Sequence, residues 1–462
     1  MGTATFRCTT MLPGDLWGQY CYTASVDSNE LRSRLSQTSA VRPEGRVVSV
    51  TGLGIRVVMP GARIGDVIQI ERRAGAPVDA EIIGFDAGQV IAVPLGTLTG
   101  VGPDEPVRTT GAPLQVGAGK ELLGRVVDGL GRPLDGMALP LGLRPTWVDR
   151  AAPPALSRKA ISKPFVTGIR AIDGLLTLGV GQRIGLFSGS GVGKSTLLGS
   201  LARNAHADAV VVALVGERGR EVQEFLDHCL GEDGRRRSIV VVTTSDAPAL
   251  ERLRAAQVAT ALAETMRDEG ADVLLLVDSV TRFARAQREV GLAAGEPPAR
   301  RGFPPSVFAA LPRLLERAGT ASVGSITAVY TVLVEGDDLD EPVTDEVRGI
   351  VDGHIILDRE LASHGHYPAI DIVKSISRVM PRVVTPQQLD LSRQLRSQIS
   401  AYEQKRDLII LGGYVKGSDA NVDRAIRTRE QVEAYLRQGS DERAGFVDIW
   451  AQIERLVSTS YR

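Results

Sequence analysis

The hydrophobic positions change their spacing along the chain, and each change predicts a different kind of structure. Between residues 45 and 96, short runs rich in Val and Ile are broken by Gly, Pro or Asp about every ten residues. This rhythm predicts a small β-barrel or sandwich, which we place at residues 41–112. Residues 1–40 are polar and mixed, which predicts a mobile or partner-dependent extension.

The centre of the chain, residues 165–380, alternates apolar runs with segments of helical spacing. Its apolar, β-rich runs are typical of strands buried on both faces of a parallel sheet, and they are RIGLF, AVVVALVG, SIVVVTTS, DVLLLVDS and SITAVYTVLVEG. The alternation predicts a doubly wound α/β domain, which a connecting segment at 113–164 joins to the barrel. Beyond Pro381, two amphipathic segments predict a C-terminal helical domain over 381–462.

Composition removes several classes of function. The 54 Lys and Arg residues against 55 Asp and Glu give a net charge of −1, so no broad basic field draws in nucleic acid or anionic lipid, and only a local basic patch is left open. Aromatic residues make up only 4% of the chain, which argues against a stacking surface for single-stranded nucleic acid. Cys8, Cys21 and Cys229 lack metal-ligand spacing and are expected to be free thiols. With no signal segment and no apolar run of about 18 residues, the sequence predicts a cytoplasmic protein.

A glycine-rich run, GLFSGSGVGKSTLLG at 185–199, lies between a predicted strand and a predicted helix. Glycines in such a loop let successive backbone N–H groups converge on phosphate oxygens, and the helix N-terminus adds its positive dipole end. Lys194 can neutralise the β and γ phosphates, and the Ser195 hydroxyl can ligate Mg²⁺. The loop therefore predicts a site for a nucleoside triphosphate with Mg²⁺, formed by Ser188, Gly189, Ser190, Gly191, Val192, Gly193, Lys194, Ser195 and Thr196.

The loop departs from the strict phosphate-loop pattern at one position. Ser188 stands where G-x-x-x-x-G-K-[ST] has its first glycine, and a side chain as small as serine should still fit. A dinucleotide-binding loop would also be rich in glycine, but Lys-Ser directly after Gly193 argues against it. A tight turn before a helix is the remaining structural alternative.

The sequence positions of several other residues make them candidates for a role in hydrolysing the nucleotide. Asp278 ends a buried apolar strand, where a carboxylate can hold the water shell of Mg²⁺, although aspartates that merely start a loop are common there. Glu217 ends a second such strand and could orient the attacking water, or it could belong to a surface run of charges with Arg218. Sequence spacing alone does not decide whether Arg378 stabilises the transition state or is an ordinary solvated arginine. Nor does it decide whether Tyr367 contacts adenine or is a tyrosine of the protein core.

Four longer stretches resemble the type III secretion ATPases, which are relatives of the α and β subunits of rotary ATP synthase. They are GLFSGSGVGKSTLLG, VALVGERGREVQEF, the block from LLLVDSVTRFARAQREV to PRLLERAG, and the block from YTVLVEGDD to SISRVM. The resemblance covers about residues 45–440 and implies a β-barrel, a RecA-like P-loop core and a helical C-terminal domain. It also implies a homohexamer with an ATP site at each subunit interface.

The resemblance assigns roles to individual residues. Lys194 matches the phosphate-binding lysine, and Ser195 and Asp278 match the Mg²⁺ ligands. Glu217 matches the catalytic glutamate, with Arg218 beside it. The remaining matches are Arg282 near the γ-phosphate, Arg378 as the arginine finger donated across the interface, Tyr367 as an adenine-packing aromatic and Tyr435 as a candidate second one.

The resemblance also implies what the ATP is used for. Members of this family release chaperones from export cargo, unfold the cargo and deliver it to an export gate at the inner membrane, together with stator and central stalk proteins. The expected location is therefore the cytoplasmic face of the inner membrane. Between the two sister systems, FARAQRE, RRGFPPSVFAALPRLLERAG and VMPGARIGD favour the injectisome over the flagellum.

Three other interpretations share the same core. A subunit of ATP synthase is disfavoured by GSGVGKST, GERGREVQEF and the block DSVTRFARAQREVGLAAGEPPARRGF, which resemble the secretion family more than the synthase. A ring translocase acting on RNA is disfavoured by the lack of net basic charge and the small number of aromatic residues. A nucleotide-binding ring protein without activity is disfavoured by Glu217, because the non-catalytic subunits of the synthase lack that carboxylate.

Overall fold

A computed structural model of the chain describes residues 44–73, 75–334, 336 and 338–460. The predicted extension at 1–40, with Cys8 and Cys21, lies outside the described residues. Within them the chain forms the barrel, the α/β domain with a parallel sheet and the C-terminal helical region that the sequence predicts, so the predicted fold class is confirmed. No helix of this described part is long and apolar enough to cross a membrane.

Six antiparallel strands close the N-terminal barrel. The strands are β1 (Glu44–Thr51), β2 (Gly54–Val58), β3 (Asp66–Ile70), β4 (Val78–Asp86), β5 (Gln89–Pro94) and β6 (Pro106–Pro113). They neighbour one another in the order β1-β2-β5-β4-β3-β6, and β6 pairs back onto β1. Alternate side chains point inward, as the period of two requires: Ile55 and Val57 are fully buried, whereas Arg56 between them is partly exposed.

The remaining strands mostly belong to one nine-stranded sheet. They are β7 (Gln115–Ala118), β8 (Val126–Asp128), β9 (Arg144–Trp147), β10 (Pro164–Phe165), β11 (Leu178–Gly179), β12 (Arg183–Ser188), β13 (Ala209–Glu217), β14 (Ser238–Thr244), β15 (Asp272–Asp278), β16 (Gly319–Thr320), β17 (Ser325–Leu333), β18 (Gly353–Leu357) and β19 (Ile376–Ser377). The sheet order is β19-β18-β12-β17-β15-β13-β14-β8, with β16 beside β17, and the neighbours from β18 to β8 are parallel. The predicted connecting segment thus supplies an edge strand, β8, to this sheet.

Helices cover both faces of the sheet. They are α1 (Arg170–Leu175), α2 (Lys194–Asn204), α3 (Gly219–Glu224), α4 (Gly231–Arg236), α5 (Ala249–Asp268), α6 (Val280–Ala293), α7 (Pro305–Leu315), α8 (Pro342–Ile350), α9 (Arg359–Ser363), α10 (Met380–Val383), α11 (Pro386–Ile410), α12 (Ala420–Leu436) and α13 (Phe446–Ser460). Side chains of the central strands alternate between two cores, because Val211 and Val215 pack with α5 whereas Val210 and Val212 pack with α2.

The C-terminal helices α11, α12 and α13 pack on α1 and share the core that lies under α2. Leu395, Val432 and Ile453, one from each helix, belong to the same buried cluster as Leu197 of α2. The starts of α11 and α12 are fixed by local capping, in which Thr385 and Asp419 accept hydrogen bonds from first-turn N–H groups. The C-terminal region is therefore packed on the same side of the sheet as the helix that follows the glycine-rich loop.

Candidate nucleotide-binding site

Three parallel strands end at one edge of the sheet, and each ends on a predicted site residue. Ser188 ends β12, Glu217 ends β13 and Asp278 ends β15. The strand β17 separates β12 from β15, and β13 lies directly beside β15. Ligands of parallel α/β sheets bind outside this carboxyl edge, so the sheet places the three residues where a ligand is expected.

The glycine-rich loop, residues 189–193, connects β12 to the 11-residue helix α2. Gly191 and Gly193 have φ values of 78° and 87°, a left-handed conformation that favours glycine. A Cβ atom on Gly193 would lie 3.2 Å from Cε1 of Tyr367, so the glycine lets this aromatic ring lie against the start of the helix. The helix N-terminus can bind an anion there. In the loop and the first turn of α2, the side chains exposed to solvent are those of Ser190, Ser195 and Thr196.

Ser188, at the first glycine position of the pattern, and Val192, at its fourth variable position, are buried instead. Ser188 is 2% exposed, and its carbonyl oxygen accepts a hydrogen bond from the Val334 N–H at 3.0 Å. Val192 is also 2% exposed and belongs to the core under α2. Serine thus stands where the strict pattern has glycine, with its hydroxyl buried and without a hydrogen-bond partner among the described residues.

Four charged side chains from four elements meet at the carboxyl edge. The Lys194 ammonium contacts Oδ1 of Asp278 and lies 3.7 Å from Oε1 of Glu217. The same Glu217 oxygen lies 2.5 Å from Nη1 of Arg282. Because the side chains of Asp278 and Glu217 are only 3% and 7% exposed, these ion pairs are largely shielded from water. The cluster thus places a lysine and an arginine beside the two carboxylates that phosphoryl transfer to water would use.

Thr331 holds one carboxylate oxygen of Asp278 in place. It is not among the site residues that the sequence predicts. Its hydroxyl donates to Oδ1 of Asp278 at 2.7 Å, and the residue is fully buried. The register of β15 with β17 pairs Val277 with Tyr330, which brings the next residue of each strand to the same level. A polar residue inside the apolar run of β17 is the sequence signal that could have identified it.

A cavity of about 310 Å³ lies beside the loop, on the side of Tyr367. Ile169, Leu197, Tyr367 and Pro368 give it apolar walls, and the tyrosine is 45% exposed. An apolar, partly aromatic hollow next to a phosphate-binding loop has the usual make-up of a small-molecule site. Its other lining residues are Gly193, Thr196, Ser200, Gln438, Gly439, Ser440 and Glu442.

The segment 438–442 is a second element that sequence reasoning missed. It supplies four lining residues of the cavity, although it follows α12 and is far from the loop in sequence. Its only signal is a Gln-Gly pair directly after an amphipathic helix. Beside the cavity, burial lowers the pKa of His366, the neighbour of Tyr367. A buried neutral imidazole is therefore favoured next to the aromatic wall.

Three predicted site residues lie outside both the cavity and the charged cluster. Tyr435 is buried on the face of α12 that packs on α1, where its hydroxyl donates to a carbonyl oxygen at 3.1 Å and burial raises its pKa. The Arg218 side chain is 79% exposed and lies 3.5 Å from Glu221. Arg378 is exposed beside β19, and its Nη1 donates at 3.2 Å to a backbone carbonyl of the connection between α8 and β18.

The oxygen donors at the carboxyl edge fit Mg²⁺. Ser195 offers a hydroxyl and Asp278 a carboxylate, and both are hard ligands of the kind this ion prefers. Across the residues that the structure describes, no group of three or more His, Cys, Asp or Glu side chains could hold a metal ion. Mg²⁺ in nucleotide sites takes its remaining ligands from water and substrate phosphates, so one carboxylate and one hydroxyl suffice.

Two family models match the chain. The nucleotide-binding domain of the ATP synthase alpha/beta family matches residues 168–377, and the C-terminal domain of the type III secretion ATPase EscN matches residues 384–455. The flagellum-specific ATP synthase of Bacillus subtilis is 50% identical over 89% of this chain and 94% of its own length. The type 3 secretion system ATPase of Xanthomonas euvesicatoria is 48% identical over 90% and 94%.

A solved structure of the assembled ATPase EscN, from the type III secretion system of enteropathogenic E. coli, is similar over the whole fold. It superposes with a TM-score of 0.85 at 46% identity, and it covers 89% of this chain and 100% of its own. A second structure shows assembled EscN in complex with its central stalk EscO, with a TM-score of 0.83 at 45% identity over the same shares of the two chains.

Proposed function

The chain belongs to the family of flagellar and type III secretion ATPases, enzymes that hydrolyse ATP, and from this premise we propose that it energises type III protein export as a homohexameric ring. The observation that supports the catalytic part most directly is the cluster of Lys194, Glu217, Asp278 and Arg282 at the carboxyl edge of the sheet. A ring protein that only binds nucleotide has no need of a shielded carboxylate such as Glu217 beside the phosphate-binding lysine.

Each member of the cluster has a role in the proposed reaction. Lys194 and the N–H groups at the start of α2 bind the β and γ phosphates of ATP. Glu217 orients the attacking water and accepts its proton, while Arg282 holds the glutamate oxygen in place. Mg²⁺, when held by Ser195 and Asp278, neutralises charge that develops on the phosphates.

The cavity takes the adenine base in this proposal. Tyr367 provides an aromatic face, and Ile169, Leu197 and Pro368 provide apolar contacts on the other sides. Base–aromatic stacking accounts for about 1–3 kcal/mol per base in nucleic-acid complexes, a magnitude that would matter for ATP affinity. Tyr435, which is buried where α12 packs on α1, is not proposed to touch the base.

The hexamer supplies a role for Arg378. The residue is exposed, and its guanidinium donates to the Val351 carbonyl at 3.2 Å, an interaction that a turn of the side chain toward an adjacent subunit would have to break. An arginine that reaches a neighbour's γ-phosphate stabilises the transition state only when the ring closes. Hydrolysis would then depend on assembly, which links chemistry to motion between subunits.

We place the ring at the cytoplasmic face of the inner membrane, where it would act on chaperone–cargo complexes together with stator and stalk proteins and the export gate. EscN with its central stalk EscO is the precedent for the stalk contact. The identities of 50% to a flagellar relative and 48% to a secretion relative do not separate the two systems. The injectisome stays the prediction from the sequence motifs, and the flagellar apparatus is its alternative.

Hydrolysis by purified protein tests the catalytic part. Glu217→Gln keeps the shape of the side chain but removes the base, so turnover should fall about 10²- to 10⁴-fold while nucleotide binding is retained. Glu221→Gln is the matched control, because Glu221 lies on the same segment and forms an ion pair with exposed Arg218. Wild-type turnover in Glu217→Gln would show that Glu217 is not the base.

Affinity capture from native cells after mild crosslinking tests the export part. Injectisome stator, stalk and gate proteins are the expected co-purifying partners, and flagellar counterparts would assign the chain to the sister system. Recovery of ATP synthase subunits or of bound RNA, with no export component, would contradict the proposed use of the ATP.

A further inference from the structure

Gln438 lies at the centre of the hydrogen bonds that hold the base side of the cavity together. Its Nε2 donates to Gly168 O and to Glu442 O, each at 2.8 Å, and its Oε1 accepts from the Arg170 N–H at 2.8 Å. Its own backbone N–H donates to Tyr367 O at 2.8 Å. This residue, only 8% exposed, therefore bonds to three separate segments of the cavity wall.

The bonding leaves Gln438 no donor for a ligand. A glutamine side chain has two N–H donors, and both are directed at backbone carbonyl oxygens. The residue lines the cavity, but its amide N–H groups are not available to donate to a base. Its four hydrogen bonds instead connect segments of the cavity wall, and through these segments it can affect a bound nucleotide.

Neighbouring bonds extend this connection to α12 and α1. Arg170 donates from Nε to the Tyr435 carbonyl at 2.7 Å and pairs with Glu442, which lowers the pKa of that glutamate. A guanidinium at the last carbonyls of a helix also suits the helix dipole. On the α1 side, buried Asp173 accepts hydrogen bonds from Thr167 and Gly168, at 2.9 and 2.8 Å from their N–H groups. The end of α12 and the turn before α1 are thus joined around Gln438.

A further bond ties the same segment to the helix after the phosphate loop. The Ser200 hydroxyl of α2 donates to Ser440 O at 2.8 Å, and Arg203 donates to the same oxygen at 2.8 Å. The segment 438–442 and α2 are therefore hydrogen-bonded neighbours in the lining of the cavity. A base that fills the cavity would contact both of them.

We propose that Gln438 is a positioning residue that sets the affinity for the nucleobase and transmits occupancy of the cavity to the end of α12. The inference rests on the proposed function, in which adenine fills the cavity. Without the Gln438 bonds, the segment 438–442 is no longer fixed to the turn at 168–170, and the base loses a preformed wall. The phosphate-binding loop, to which none of these Gln438 hydrogen bonds is made, keeps its affinity for phosphates.

Binding of two probes separates these contributions. A non-hydrolysable ATP analogue occupies loop and cavity, whereas inorganic tripolyphosphate occupies the loop alone. In Gln438→Met, which keeps the chain length but removes every side-chain hydrogen bond, calorimetry should show about tenfold or greater loss of affinity for the analogue. Affinity for tripolyphosphate should stay unchanged. Gln404→Met is the matched control, because Gln404 is an exposed residue of α11 outside the cavity lining.

Hydrogen exchange distinguishes a positioning role of Gln438 from a merely structural role. The analogue should slow exchange at the end of α12 in the wild type, and saturating analogue should fail to do so in Gln438→Met. If Gln438→Met does not fold, Glu442→Gln loosens the same segment at a half-exposed position and should shift the affinities in the same direction.

The outcomes are distinguishable. A wild type that binds tripolyphosphate as tightly as the analogue contradicts the base site, and with it the premise. A wild type that prefers the analogue, with a variant that keeps both this preference and the exchange protection, overturns the role of Gln438.

Discussion

Replacing Thr331 by valine tests whether the position of the Asp278 carboxylate depends on the neighbouring strand. The hydroxyl is fully buried and donates to Oδ1 of Asp278 at 2.7 Å. Hydrogen bonds to charged groups contribute about 1.5–3 kcal/mol, so loss of the whole contribution in the transition state would lower kcat/KM about 10- to 150-fold. Because the Lys194 ammonium still contacts the same oxygen, Asp278 is not left unpaired, and the melting temperature should change little.

The assay measures hydrolysis over a Mg²⁺ titration, together with Mg²⁺-dependent binding of a non-hydrolysable ATP analogue. Thr331→Val should need more Mg²⁺ in both, and Thr331→Ser should restore wild-type behaviour. Thr327→Val is the control on the same strand, because the Thr327 hydroxyl accepts from the Gly181 N–H and does not contact Asp278. Unchanged Mg²⁺ dependence in Thr331→Val would refute the reasoning and leave Lys194 as the group that orients Asp278.

Three further predictions follow from other parts of the structure. Arg378→Ala should fold and bind nucleotide normally but lower turnover of the assembled ring about 10³-fold or more, measured as steady-state hydrolysis; near-normal turnover excludes the arginine finger. Gly193→Ala places a Cβ atom 3.2 Å from the Tyr367 ring on a residue whose φ is 87°, so binding of the ATP analogue, measured by calorimetry, should be lost. Gly295→Ala is the control, because Gly295 has the same φ but open space around it, and this variant should bind normally. Burial raises the pKa of Asp173 to about 6, above about 3.9 in an unfolded chain, so the folded state binds this proton more tightly and loses stability as the pH rises through 6. Denaturant unfolding should show a fall of about 2 kcal/mol between pH 4 and pH 7 relative to Asp173→Asn, and a flat difference contradicts the shifted pKa.

The fold was predictable because its central strands are unambiguous in sequence. The runs AVVVALV and VLLLV are apolar at every position, as is typical of strands in a sheet covered on both faces, and they lie in β13 and β15. The edge strand β8 was not predictable in the same way. It is three residues long and lies in a segment of mixed polarity, so only its pairing with β14 defines it.

The site residues also fall into two groups. Some have a local sequence pattern, and others are defined only by contacts between distant parts of the chain. The glycine loop, Glu217 and Asp278 stand next to strand ends, so a local pattern finds them. Gln438 is 268 residues from its partner Arg170, and no periodicity links them. The same limit applies to Tyr435, whose helix spacing fits a buried position and a ligand contact equally well until the packing of α12 on α1 is known.

The charges at the carboxyl edge give a physical reason for an arginine from outside the subunit. Lys194 and Arg282 are already balanced by Glu217 and Asp278, so the cluster has no excess positive charge. ATP with Mg²⁺ adds about two negative charges, and the transition state concentrates them on the transferred phosphate. The N–H groups at the start of α2 offset part of this charge. An exposed guanidinium such as that of Arg378, brought to the site of an adjacent subunit, can supply the remainder, which is why hydrolysis in the proposed ring should depend on its closure.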